Sequence, residues 1–166
     1  MTELLTFQLA KFTDLPQIVA IYNQTIATKT VTADLQPVTV KQREPWFQQH
    51  QNPQRPLWTV TQNQQMLGWV SLSDFYGRAA YQPTAEISLY FDQTSRHQGC
   101  GSQTLHFVEK QLPQLQISNL VAEVFSQNIP STHFFQKNHF HRWGHLPQVA
   151  DMGSHWCDVD IWGKKY

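Results

Sequence analysis

The feature that most constrains this chain is the passage from Leu89 to Leu105. It runs from an apolar strand end, Leu89-Tyr90-Phe91, through Asp92-Gln93-Thr94-Ser95 into Arg96-His97-Gln98-Gly99-Cys100-Gly101-Ser102, and then into a helical pattern. A glycine-rich turn that opens a helix leaves several backbone N–H groups unpaired at the positive end of the helix dipole. Such a turn suits a phosphate or pyrophosphate. Arg-x-x-Gly-x-Gly is a short pattern that also arises as a plain helix-opening turn, so its neighbours decide. Upstream, Glu86 sits in the strand leading to the loop; downstream, Asn128-Ile129-Pro130-Ser131 opens another helix that ends near Asn138-His139-Phe140.

The rest of the chain reads as alternating strand and helix. Leu5, Phe7 and Leu9 alternate with Thr6 and Gln8 as in a half-buried strand. Thr13 and Asp14 can cap the helix that follows, Pro16 fits its first turn, and Leu15, Ile18, Val19, Tyr22 and Ile26 recur at helical spacing. The threonine-rich segment from Ala27 to Val38 reads as a loop before a short helix capped by Thr39, with Trp46 and Phe47 inside it. Trp58 to Thr61, Met66 to Phe75 and Ala85 to Phe91 suggest a meander of three antiparallel strands, interrupted by Gly77 to Pro83. Leu105, Val108, Leu112 and Leu115 mark one helix face before the strand Leu120 to Phe125. A strand, a crossover helix and a second strand imply parallel pairing with a right-handed connection. The sheet is therefore mixed, and helix Ser131 to Asn138 with final strands Phe140 to Leu146 and His155 to Gly163 completes an α+β domain. In the last strand Trp156, Asp158, Asp160 and Trp162 point one way and Cys157, Val159 and Ile161 the other, so this strand is expected inside a sheet with one face packed on core.

A length of 166 residues fits a single domain spanning 1-166. The 12 basic side chains balance the 12 acidic ones and form no block, which suggests neither a nucleic-acid partner nor an acidic tail. Met1-Thr2-Glu3-Leu4-Leu5 lacks the pattern of a signal peptide and no run is long and apolar enough to span a membrane, so a cytoplasmic location is expected. Cys100 and Cys157 are then reduced thiols, and Cys100 packs under the phosphate turn in preference to acting as a nucleophile. His139, His141 and His145 are close in sequence, yet no cysteine or carboxylate stands at telling spacing and no metal site is expected.

The order of these motifs resembles the GNAT superfamily of N-acetyltransferases, whose acetyl-coenzyme A site combines Arg/Gln-x-x-Gly-x-Gly/Ala with a later Asn-helix-aromatic segment. Within it the chain is similar to phosphinothricin acetyltransferases through Ile21-Tyr22-Asn23, Arg78-Ala79-Ala80-Tyr81, Glu86-Ile87-Ser88-Leu89-Tyr90, Arg96-His97-Gln98 and Trp156-Cys157-Asp158-Val159. The resemblance implies a three-layer α/β/α arrangement, with helices on both faces of a mostly antiparallel sheet that is splayed at the cofactor site. It also implies that the connector around Thr28 to Asp34 borders the acceptor site, and a homodimer in which the partner completes the acceptor pocket.

Acetyl transfer to an amine needs a held cosubstrate, a neutral amine, a donor to the developing oxyanion and a proton for the departing thiolate. The amides from His97 to Ser102, which include those of Gln98, Gly99, Cys100 and Gly101, can cradle the diphosphate of acetyl-CoA, and Arg96 adds charge. By resemblance, Leu89, Tyr90 and Phe91 pair their backbone with the pantetheine arm, while Asn128 and Ser131 contact the cofactor. An amine with a pKa near ~10 must lose a proton before it attacks. Glu86 is the candidate base, since burial in an apolar strand raises a carboxylate's pKa and the position matches the family's proposed base. Arg78 and Tyr81 can hold an acidic group of the acceptor, or serve as a hairpin arginine and a packed tyrosine. Phe135 departs from the family, which carries tyrosine or histidine there as thiol-proton donor; water, the ammonium itself, His133 or another histidine substitutes, or activity is low. His139 stands where a glycine is usual. The reading is an N-acetyltransferase acting on the primary amine of a small molecule such as an amino acid, phosphinothricin or methionine sulfone. The alternatives are a catalytically weak acetyl-CoA binder or sensor and a peptide or protein N-acetyltransferase.

Overall fold

One seven-stranded sheet organises residues 4–166, which the structure, a computed structural model, describes. Met1-Thr2-Glu3, where the search for a targeting leader begins, lies outside the described residues. The strands are β1 (Thr6–Leu9), β2 (Leu57–Gln62), β3 (Gln65–Asp74), β4 (Thr84–Phe91), β5 (Asn119–Phe125), β6 (His141–Asp151) and β7 (Trp156–Lys165), in spatial order β1-β2-β3-β4-β5-β7-β6. Neighbours run antiparallel except β4 and β5, which are parallel, so the meander and the crossover both form as the residue pattern implies. Asn63 and Gln64, both at positive φ, make the tight turn that joins β2 to β3.

Helices lie on both faces. Helix α3 (Cys100–Leu115) and α4 (Ile129–Lys137) cover one face, where Leu105, Val108, Leu112 and Phe135 meet Val70, Ile87, Leu120 and Trp162. Helix α1 (Leu15–Asn23) and α2 (Val40–Gln49) cover the other, where Ile18, Tyr22 and Phe47 meet Leu57 and Trp69. Alternation along β4 sends Ala85, Ile87 and Leu89 toward α3 and α4. Glu86, Ser88 and Tyr90 consequently face the α1 and α2 side.

Local chemistry explains the element ends. Thr39 accepts from the Gln42 N–H while the Gln42 side chain accepts from the Thr39 N–H, a capping box that starts α2 as expected. Asp14 stands at the α1 cap position, but its carboxylate turns back to accept the Lys11 N–H at 2.7 Å and closes the short turn Phe12–Asp14. Two expectations need correction. β1 is an edge strand paired with β2 alone, and Leu9 is 64% exposed; only Phe7 packs firmly, stacking on Phe107 of α3 with ring centroids 4.1 Å apart. β7 lies inside the sheet between β5 and β6, as expected, but buries side chains on both faces and not one, Trp162 with the main core and Cys157 with Phe125 and Met152. β6 continues five residues beyond Leu146, because register shifts carry it past Pro147 and Gln148 at positive φ.

Candidate active site

The site begins where two parallel strands part. β4 and β5 stay in register from Thr84 opposite Asn119 to Glu86 opposite Val121. Beyond that pair β4 continues along β3 and β5 along β7, which opens a cleft of ≈ 550 Å³ walled by Ile87 to Phe91 on one side and Ala122 to Val124 on the other. Strands splayed in this way leave main-chain groups on their inner edges free to pair with an extended ligand.

The turn before α3 forms the far end of the cleft. Asp92 caps the short helical turn Gln93–Ser95, and His97 and Gly99 then adopt positive φ of 62° and 78°. The first bond within the helix is Gln103 N–H to the Gly99 carbonyl at 3.2 Å, so the amides of Cys100, Gly101 and Ser102 precede it and carry the dipole's positive end. Gly99 needs its glycine for the left-handed backbone. Gly101 needs its own for space, since a Cβ there meets Cε2 of Phe134 at 3.0 Å. Arg96 lines the cleft and donates through Nε to the Phe91 carbonyl at 3.3 Å. These groups fit a diphosphate.

The candidate residues assemble unequally. Leu89, Tyr90, Phe91, Arg96, His97 and Gly99 line the cleft, as do Cys100, Gly101, Ser102, Asn128 and Ser131. Gln98 does not; its amide folds back to the Thr94 carbonyl at 3.1 Å. Asn128 is buried and accepts the Ser131 N–H at 3.3 Å, so it caps α4 as well as walling the cleft. Cys100 is buried as the first residue of α3. Arg78 and Tyr81 lie apart, exposed beside the short turn Ala79–Tyr81, with the Tyr81 ring against Phe75 and Tyr76.

Glu86 stands at the fork itself. Burial, with a smaller contribution from Glu123, pushes its carboxyl up from 4.5 to about 7. Glu123, two residues beyond Val121 on the same face of β5, escapes notice in the sequence because its strand is otherwise apolar; that lone charge in Leu-Val-Ala-Glu-Val-Phe is the signal that could have found it. Phe134 and Phe135 both line the cleft, with Phe135 5% exposed. His133 is exposed on α4 and does not line it. His139 takes φ 66° at the end of α4, the left-handed conformation for which glycine is ordinarily used. His145 donates to Asp160 at 2.7 Å and lies 3.3 Å from Asp158, a polar cluster on β6 and β7 away from the cleft.

Residues 19–140 match the family model "Acetyltransferase (GNAT) family". The chain belongs to the GNAT acetyltransferase family. As a GNAT enzyme it is an acetyl-CoA-dependent N-acetyltransferase, with acetyl-CoA as cosubstrate. It is 41% identical over 162 residues to the "Putative phosphinothricin acetyltransferase YwnH" of Bacillus subtilis (strain 168), covering 97% of this chain and 99% of that one. It is 27% identical over 147 residues to the "L-methionine sulfoximine/L-methionine sulfone acetyltransferase" of Pseudomonas aeruginosa strain PAO1, covering 88% of this chain and 86% of the relative. The solved structure described as "Crystal structure of a putative phosphinothricin N-acetyltransferase" superposes on this GNAT chain with a TM-score of 0.92, 42% identity and 98% of each chain covered. No helix among the described residues is long and apolar enough to cross a membrane.

Proposed function

We propose that this acetyltransferase moves the acetyl group of acetyl-CoA to the amine of an amino acid or close analogue, with Glu86 as general base. The observation that carries the reading is Glu86 at the opening of β4 and β5 with a carboxyl pushed up to about 7. A carboxylate so placed accepts a proton from an ammonium and has a pKa matched to neutral conditions. The names of the relatives, phosphinothricin and methionine sulfoximine or sulfone acetyltransferases, support the substrate class.

In this reading the thioester supplies the activated acyl group, and the chain's own residues do the rest. Amides from His97 to Ser102, with Arg96, hold the diphosphate; Leu89, Tyr90 and Phe91 offer backbone partners to the pantetheine arm; Asn128 and Ser131 wall its course. Glu86 takes the amine's proton. Arg78 and Tyr81, exposed outside the cleft, serve the acceptor's acidic group when a second copy brings them to a neighbouring site. Exposed Trp143, Leu146, Val149 and Trp156 on β6 and β7 support a homodimer, since a long edge strand carrying apolar side chains is suited to a second copy. Cys100 and Cys157, buried without a disulfide, support a reducing, cytoplasmic setting.

The test is thiol release from acetyl-CoA against a panel of amino acids, their sulfone and phosphinic analogues, polyamines and peptides. Glu86→Gln is expected to lower kcat on the best acceptor by about 10²–10⁴-fold with coenzyme A affinity unchanged. Unchanged turnover removes Glu86 from the reaction. The rival reading, a coenzyme A binder of low activity, has Phe135 in its favour; tight coenzyme binding with no thiol release across the panel establishes it.

A further inference from the structure

The connector from Gln24 to Thr39, which joins α1 to α2, meets the cleft through Thr25 and Val31. It is tied to its own helices through Tyr22, whose hydroxyl is shared between Thr32 Oγ1 at 2.5 Å and the Asp34 carboxylate, and through Arg43, which reaches Asp34 at 3.4 Å. Its tie to the anion loop is a single side chain. Gln24 Nε2 donates to Asp92 Oδ2 at 2.8 Å, and Gln24 Oε1 accepts the Gln93 N–H at 2.9 Å. Among the described residues no other hydrogen bond joins connector 24–39 to loop 92–99. Asp92 is the residue whose other oxygen accepts both the backbone and the hydroxyl of Thr94 and so shapes the turn ahead of Arg96.

A side-chain amide makes these two bonds together in one geometry only, and one of them is strengthened by the carboxylate's charge. A ligand that orders the loop therefore favours the Gln24 geometry, and thermodynamic reciprocity requires that an ordered connector favour the ligand. The hydrogen bond from Gln24, with those from Thr94, also holds the Asp92 carboxyl below its ordinary range, so the clasp persists through neutral pH.

We propose that Gln24 is a positioning residue that couples occupancy of the loop at Arg96 to Ser102 to the order of the connector wall at Thr25 to Asp34. The inference rests on the reading of that loop as the coenzyme A site. It assigns to a residue outside the cleft the role of readying the acceptor wall once the coenzyme is held.

Hydrogen–deuterium exchange on the full chain, with and without saturating coenzyme A, tests it in the wild type and in Gln24→Leu, which keeps the bulk and loses both bonds. In the wild type, coenzyme A is expected to slow exchange at least threefold in the loop and in the connector. In Q24L the loop remains protected and the connector does not, and the coenzyme Kd rises by about the factor by which coenzyme A slows connector exchange in the wild type. Gln24→Ala, with no side chain left to pack, is expected to give the same separation. A purely structural role for Gln24 instead speeds connector exchange equally with and without coenzyme A, and overturns the proposal. So does connector protection that survives in both variants, or connector exchange that coenzyme A leaves unchanged in the wild type while the loop is protected. Failure of coenzyme A to protect the loop in the wild type is the distinguishable result that overturns the coenzyme reading itself, and the coupling with it.

Discussion

Glu86 and Glu123 project to the same side of the sheet at the point where β4 and β5 separate, Glu86 opposite Val121 and Glu123 two residues farther along the same strand. Glu86 is the half-buried member and Glu123 the exposed one, whose negative charge adds to the desolvation that keeps the Glu86 proton on until about pH 7. Two carboxylates, one half-buried and one exposed, thus share one fork.

Activity is expected to rise with pH through a midpoint near 7, because only the ionised Glu86 accepts a proton. Glu123→Gln removes the repulsion that opposes that ionisation, so the acidic limb of a kcat/KM profile is expected to move to lower pH. A limb that stays in place shows that Glu123 does not set the midpoint.

The same shift has a cost in stability. Folded Glu86 binds its proton more tightly than the unfolded chain does, so stability falls as pH rises from about 4.5 to about 7 and is level above that. At about 1.4 kcal/mol for each pH unit, the loss is about 3 kcal/mol as an upper bound. Glu86→Gln is expected to recover part of it at pH 8 and little at pH 4.5, as read by urea unfolding at the two pH values.

Two glycines of the turn are expected to respond differently. Gly99→Ala puts a side chain on a left-handed residue with nothing within 4 Å of the new Cβ, so it is expected to cost about 1 kcal/mol through backbone strain. Gly101→Ala meets the Phe134 ring at 3.0 Å and is expected to displace that wall of the cleft. Calorimetric titration with coenzyme A is the check: weaker binding in both, with a change in near-ultraviolet dichroism only for Gly101→Ala.

Phe135 offers no proton to a departing thiolate, yet its ring borders the cleft between Phe134 and Phe140, each with its centroid 5.0 Å away. Phe135→Tyr places a hydroxyl at this position, and thiol release at saturating substrate is expected to rise several-fold. An unchanged rate identifies proton delivery by solvent or the amine as sufficient.

Much of this molecule was legible residue by residue. The meander, the crossover, the Thr39 cap and the helix face at Leu105, Val108, Leu112 and Leu115 follow from periodicity and capping chemistry, which act over a few residues. Leu9 and β7 departed from expectation because alternation says which residues share a face and not what covers that face. Asp14 found a nearer donor than the helix it precedes. Thr25 and Val31 went unnoticed as cleft residues because nothing local distinguishes them, and Glu123 because its one local mark, a lone charge in an apolar strand, does not say what it faces; all three reach the cleft only when distant segments pack together.

By itself the sequence determined the family, the glycine turn that opens a helix after a strand, and the presence of Glu86 in that strand, because each rests on short-range backbone geometry or on motif order. Tertiary structure alone decided where the strands part, which carboxylate is buried beside which, that Arg78 and Tyr81 stand outside the cleft, and that Gln24 reaches Asp92 across 68 residues of chain. Burial, and with it the raised pKa of Glu86, depends on the packing of whole elements and has no local signature.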